Sequence, residues 1–130
     1  MLDPAITTFA QGTNFAALSF HLPNGQIATQ VMWIDADDEH LLINTEVHRA
    51  KYRAIVESPT VTVMIWDAQN PYHYAEVRGT FVGEVRGDQA RAHIDACSRR
   101  YTGVDYQAPI QSERVILKIA PVRQRKKDID

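Results

Sequence analysis

Apolar and polar residues along this chain follow the two-residue rhythm of strands over most of its length, broken by three short stretches with helical spacing. From Asn14 to His21 the run Phe15-Ala16-Ala17-Leu18-Ser19-Phe20 reads as a strand. Pro23-Asn24-Gly25 and a second run from Gln26 to Asp35 follow, and Asn-Gly between two such runs predicts a β-hairpin. After a break at Ala36-Asp37-Asp38-Glu39, Leu41-Leu42-Ile43-Asn44 reads as a third strand continuing the meander. Thr60 to Trp66 is rich in branched and aromatic residues and apolar on both alternating faces, as in a strand covered on both sides. Tyr74 to Arg86 alternates cleanly. Ala75, Val77, Gly79, Phe81 and Val85 share one face, and Glu76, Arg78, Thr80, Glu84 and Arg86 form a wet one. Arg114 to Ile119 completes a set of six.

The helical stretches carry their own boundary signals. Asp3 is placed as an N-cap, with Pro4 in the first helical position and Gly12 just past the end. His48 to Glu57 has Tyr52, Ile55 and Val56 as an apolar stripe, and Ser58-Pro59 stops it because proline disfavours helix in the residue before it. Gly87-Asp88 opens a third helix whose Ala90, Ile94, Cys97 and Tyr101 lie three or four apart, and Gly103 closes it. Six mostly sequential strands with short helices predict a mainly β fold, an antiparallel barrel, because closing the sheet removes exposed edges. Residues 1–130 form a single domain without repeat or linker, and Arg123-Gln124-Arg125-Lys126-Lys127 reads as a basic, solvated tail from about residue 123.

Charge and cysteine content narrow the chemistry. Fourteen Lys and Arg against sixteen Asp and Glu give a net charge of −2, so no global field attracts nucleic acid or an anionic membrane, and any anion site must be local. One cysteine, Cys97, forms no internal disulfide and reads as a buried, inert thiol, which fits the cytoplasm. No basic region followed by a long apolar stretch opens the chain, and no run approaches the ~18 apolar residues of a membrane span, so neither secretion nor spanning is expected.

The stretch from Asn44 to Arg53 is the most informative. Arg49, Lys51 and Arg53 crowd the first turns of the predicted helix, where the macrodipole already presents positive charge, an arrangement unfavourable by a few tenths of a kcal/mol each at about that scale. Arg49 and Arg53 also repel each other four residues apart. A bound phosphate or carboxylate would reverse these terms. The competing explanation is that Arg53 pairs with Glu57 and Arg49 with Glu46, the rest being solvated. His21, His40, His48, His73 and His93 show no pair four apart and no nearby cysteine ligand, so no metal is expected. His73, between Tyr72 and Tyr74, reads as a substrate contact or a surface residue. No glycine-rich phosphate loop, nucleophile elbow or carboxylate pair is present; an anion anchor without its own acid, base or nucleophile is the pattern of a cofactor-dependent protein.

Leu41-Leu42-Ile43-Asn44-Thr45, then Arg49-Ala50-Lys51, Ser58-Pro59-Thr60-Val61-Thr62-Val63 and Tyr74-Ala75-Glu76-Val77-Arg78-Gly79, in that order, resemble the pyridoxamine 5′-phosphate oxidase-like family of split β-barrel flavoproteins. The Arg-Ala-Lys and Glu-Val-Arg-Gly pieces most resemble its branch using the deazaflavin coenzyme F420. The similarity runs from Phe15 to about Pro121. It implies a six-stranded antiparallel split β-barrel like that of FMN-binding proteins, and a homodimer with two cofactor sites at the interface. It also implies an oxidoreductase passing a hydride between F420 and an unsaturated small molecule of enone or quinone type. The cofactor phosphate would fall to Arg49, Ala50 and Lys51, with Asn44 and Thr45 nearby, and the ring would lie along Thr29, Gln30, Val31 and Met32. Trp33, Trp66, His73 and Tyr74 are candidates for walling the substrate, with plain core packing the competing reading for each aromatic. Relatives often carry Pro or Ser-Asn where Thr29-Gln30 stands, and Ile27 to Ile34 has no Lys or Arg, which argues against pyridoxamine phosphate oxidation. FMN is the alternative cofactor, and a non-catalytic cofactor or tetrapyrrole carrier the alternative class.

Overall fold

The computed structural model describes residues 1–130. Seven strands form one antiparallel sheet. They are β1 (Phe15–His21), β2 (Ile27–Met32), β3 (Asp35–Ala36), β4 (Leu41–Glu46), β5 (Thr60–Trp66), β6 (Tyr74–Arg86) and β7 (Arg114–Lys127), with helices α1 (Pro4–Ala10), α2 (Ala50–Glu57) and α3 (Asp88–Thr102). The spatial order is β2-β1-β5-β6-β7-β4-β3. Only Trp33 and Ile34 separate β2 from β3, which stand at opposite ends of that order, and three Cα steps span at most about 11 Å. The sheet therefore curls until its two ends nearly meet, which confirms the mainly β split barrel.

The hairpin β1–β2, the alternation of β6 as far as Phe81 and all three helices stand as the sequence predicts; beyond Phe81 a register shift sets Glu84 opposite Leu117 and Val85 opposite Ile116, so the two exchange the faces expected of them. Four further places need correction. β4 does not continue the meander: it pairs with β7 through Glu46↔Arg114 and Asn44↔Ile116, not with β2. The run from Gln26 to Asp35 breaks at Trp33, where the chain turns the corner. α2 begins at Ala50 with Arg49 as its N-cap, two residues later than expected, because Val47 to Arg49 form the turn out of β4. The basic tail is strand: Arg123, Gln124, Arg125, Lys126 and Lys127 pair with Arg78 to Tyr74 of β6. Backbone pairing holds them there, with Lys126 ion-paired to Asp3 at 3.1 Å, so charge alone misleads.

The inward faces bury Ala16, Leu18 and Phe20 of β1, Val61, Val63 and Ile65 of β5, Leu41 and Ile43 of β4, and Val115, Leu117 and Ile119 of β7. Ile6 and Ala10 of α1, with Leu2 just before it, plug this barrel, and the Asp3 cap accepts the Ala5 N–H at 2.9 Å. On β5 the second face, Thr62, Met64 and Trp66, is only half-covered by this chain. α3 lies outside the barrel over β4, β6 and β7, burying Ala90, Ile94 and Cys97, and ends on Gly103 with φ 87°, the left-handed turn that glycine takes without a Cβ clash.

Candidate functional site

β4 decides which side chains reach the outside of the barrel. Leu41, Ile43 and Thr45 point inward, so Leu42, Asn44 and Glu46 point outward beneath α3. Opposite Glu46 stands Arg114, the first residue of β7, and just beyond Glu46 come Arg49 and Lys51. Between these groups, α3 and the corner after β2 lies a cavity of about 330 Å³. Arg49, Lys51, Arg114 and Asn44 stand in its wall, with Phe15, Trp33, Ile34, Leu42 and Ile94 as apolar surface.

Its electrostatics are unbalanced. Glu46, 1% exposed, is fully engaged: Oε1 accepts the N–H groups of Gln111 (2.7 Å) and Ser112 (2.8 Å), and Oε2 faces Arg49 (3.3 Å) and Arg114 (3.4 Å). Burial alone would raise its pKa, but those N–H groups and guanidiniums outweigh it and hold the carboxyl below its ordinary range. Arg114 also donates Nε–H to Asn44 Oδ1 at 2.9 Å and lies 5.1 Å over the Tyr106 ring. Lys51 is 9% exposed and makes no hydrogen bond or ion pair within the chain. Burial first, then Arg49 and Arg114, push its ammonium down to about 8. Three cations thus face one carboxylate already engaged, and a buried ammonium lacks a partner. A buried charge without one is costly unless a ligand supplies it. The chemistry of the donor set fits the phosphate or carboxylate of an anionic cofactor, with the apolar walls suited to a planar ring.

A polar brace holds the wall opposite. Asn44 Nδ2 donates to Ala90 O and to His93 Nδ1, both at 2.9 Å, while His93 Nε2 faces Asp35 Oδ2 at 2.9 Å. Arg114 can only donate and the Ala90 carbonyl can only accept, which fixes the Asn44 amide and makes His93 Nδ1 an acceptor. Nε2 then carries the ring proton. Burial opposes charge on His93 while Asp35 and Cys97 push its pKa up; the Asn44 amide donating to Nδ1 resists the second proton, and Asp35 accepts the one on Nε2. Arg100 closes the brace on Asp35 Oδ1 at 3.1 Å.

Of the sequence-expected cofactor residues, Val31, Met32, Asn44, Arg49 and Lys51 meet in this cavity. Thr45 does not: it is 0% exposed on the inner face, opposite to Asn44. Ala50 is an exposed first helical residue, and Thr29 and Gln30 lie exposed on edge strand β2 outside the cavity, Thr29 sharing a 2.9 Å hydrogen bond with Ser19. Trp33 lines the cavity, stacked on Tyr101 at 5.2 Å and edge-on to Tyr106. Trp66 packs beside Phe15, and Tyr74 lines a separate groove with Arg78 and Lys127. His73 sits in the turn before β6, 3.3 Å from Asn70. Arg53 is exposed and has no ion pair with Glu57, whereas the Arg49–Glu46 pair is present.

Sequence reasoning missed Arg114, Tyr106 and the His93–Asp35–Cys97 group. Only the last had a signal: Cys97 follows His93 by four residues, which the reading of no cysteine near a histidine overlooked. Potential ligand atoms of Asp35, His93 and Cys97 lie within 4.8 Å of one another. Their hydrogen bonds are nonetheless closed, because a metal on Nε2 would need a proton on Nδ1, against the Asn44 amide donor.

The pyridoxamine 5′-phosphate oxidase family profile matches residues 2–128. A solved F420 reductase is 30% identical, with a TM-score of 0.80 over 92% of this chain and 95% of that one. A pyridoxamine 5′-phosphate oxidase-related, FMN-binding protein of Nostoc punctiforme is 14% identical, with a TM-score of 0.63 over 95% of this chain and 83% of that one. The haem storage protein of Vibrio cholerae is 13% identical, with a TM-score of 0.67 over 98% and 96%. The last two likenesses concern the fold alone. No curated protein matches the sequence.

Proposed function

The chain belongs to the pyridoxamine 5′-phosphate oxidase family, and from that premise we propose that it is a cytoplasmic F420-dependent oxidoreductase whose cofactor anion docks on Arg49, Lys51 and Arg114. Its carrying observation is Lys51, a buried ammonium with no partner of its own. The likeness to the F420 reductase supports the choice of deazaflavin over FMN. When bound in reduced form, F420 supplies a hydride to an electron-poor double bond of enone or quinone type.

The chain's own residues bind, orient and dry the site. Arg49, Lys51 and Arg114 hold the phosphate, and Glu46 keeps both guanidiniums in place. Phe15, Trp33, Ile34 and Leu42 exclude water from the ring, with Val31 and Met32 along its edge. A cavity of about 330 Å³ lies at the small end of ligand sites, roughly 300–1,000 Å³, so one chain encloses only part of the cofactor. A second copy against the half-covered face of β1, β2 and β5 completes it, bringing Thr29, Gln30, Trp66 and Tyr74 toward the substrate. A haem-carrier role is disfavoured because His93, the cavity's only histidine, has both ring nitrogens engaged.

Titration with F420 and with FMN, followed by fluorescence, tests the reading. Replacing Arg49 and Lys51 together by alanine is expected to weaken F420 binding by about 2–4 kcal/mol, since each charge-assisted contact contributes roughly 1.5–3. An unchanged dissociation constant removes the anchor, and tighter binding of FMN than F420 replaces the deazaflavin by FMN.

A further inference from the structure

Lys51 is also a nucleophile in waiting. Lys51 as a whole is 9% exposed, and its amino group has no acceptor within the chain and stands in the wall of a cavity bounded by Phe15, Leu42 and Ile94. We propose that this cavity captures aldehydes bearing a carboxylate or phosphate as reversible imines on Lys51. The capture uses the cavity of the proposed function but none of its redox chemistry.

Three features support it. An amine is activated by a dry pocket or by neighbouring cations, and Lys51 has both. Burial, Arg49 and Arg114 push its pKa down to about 8, which leaves roughly a tenth of it neutral at pH 7, a few hundred-fold more than an ordinary lysine. The same guanidiniums offer a seat for the aldehyde's anionic end, and the apolar walls cover its hydrocarbon body. The charged and titratable groups around the amine are Arg49 on the turn into α2, Arg114 on β7, Glu46 on β4, Tyr106 after α3, and His93 and Cys97 on α3. The one carboxylate among them, Glu46, faces the guanidiniums and not the amine.

The Nζ lone pair attacks the carbonyl carbon, forming a C–N bond as the C=O π pair moves to oxygen. Both amine protons then leave with that oxygen as water and a C=N bond remains. No oxidant or reductant takes part.

The probe is 4-carboxybenzaldehyde added to the full chain, trapped with sodium cyanoborohydride and mapped by peptide mass spectrometry. Lys51 is expected to carry at least ten-fold more adduct than Lys118, Lys126 or Lys127, and uncharged benzaldehyde at equal concentration to give at least ten-fold less on Lys51. The α-amine of Met1 reacts as an internal standard, equally with both aldehydes. Lys51→Arg keeps the charge and loses the adduct, with an unchanged melting temperature showing that the fold survives. Labelling of Lys51 no greater than of the other lysines, or equal for both aldehydes, overturns the proposal. F420 binding without Lys51 adduct sinks the imine and leaves the oxidoreductase reading standing; adduct without F420 binding does the reverse.

Discussion

At the scale of single residues, the binding role proposed for Lys51 stands against stability. Its folded pKa of about 8 lies below the ordinary lysine value, so between those pH values the unfolded chain binds more protons than the folded one. The penalty of burying the ammonium is thus complete below pH 8 and relieved as pH rises toward 10. Lys51→Met is expected to raise the stability of the ligand-free protein at pH 7 by roughly 1–3 kcal/mol and to flatten this rise, as read by urea unfolding at pH 7, 8.5 and 10. A lower stability for the variant would mean that the amine has a partner. Glu46→Gln goes the other way: one neutral amide cannot serve two N–H groups and two guanidiniums, and a loss of about 3–5 kcal/mol is expected by the same measurement. The crowding of Arg49 and Lys51 was legible in sequence because their repulsion is local. Arg114 was not, since only the β4–β7 register brings it to Glu46, and Thr45 was misplaced because one step along a strand reverses the face.

Elements were legible wherever the decisive contacts are near in sequence. Asp3 and Pro4 start α1, Pro59 follows the end of α2, and Gly103 closes α3, each a local backbone effect. In sequence β7 reads as ending at Ile119 because alternation fades where both faces become polar, while pairing to β6 continues to Lys127. The β6–β7 ladder is itself tight. A Cβ on Gly79 would stand 2.6 Å from the Ala120 carbonyl oxygen and 2.8 Å from Ile119 Cγ2, next to a register shift. Gly79→Ala is expected to destabilise by about 1–3 kcal/mol, with a matching fall in the urea midpoint. An unchanged midpoint would show that the two strands separate freely there.

For the molecule as a whole, pattern alone supplied a barrel, and the resemblance supplied its split form. Strand order stayed hidden in the pattern because β4 pairs across the chain with β7, a contact no hydropathy rhythm encodes. The half-covered face of β5, with exposed Val31 and Phe15 nearby, carries the expectation of a homodimer, and sedimentation velocity should give twice the 14.7 kDa chain mass. A monomer at micromolar concentration would leave the cofactor cavity open on one side. The central claim is that an anionic cofactor becomes the missing partner of Lys51. Calorimetric titration with F420 at pH 8, in buffers of different ionisation enthalpy, tests it by counting protons. Binding should take up about half a proton per site in the native protein as the amine is driven to full charge, and none in Lys51→Met. Binding of equal affinity to both, with no difference in proton uptake, would contradict the account.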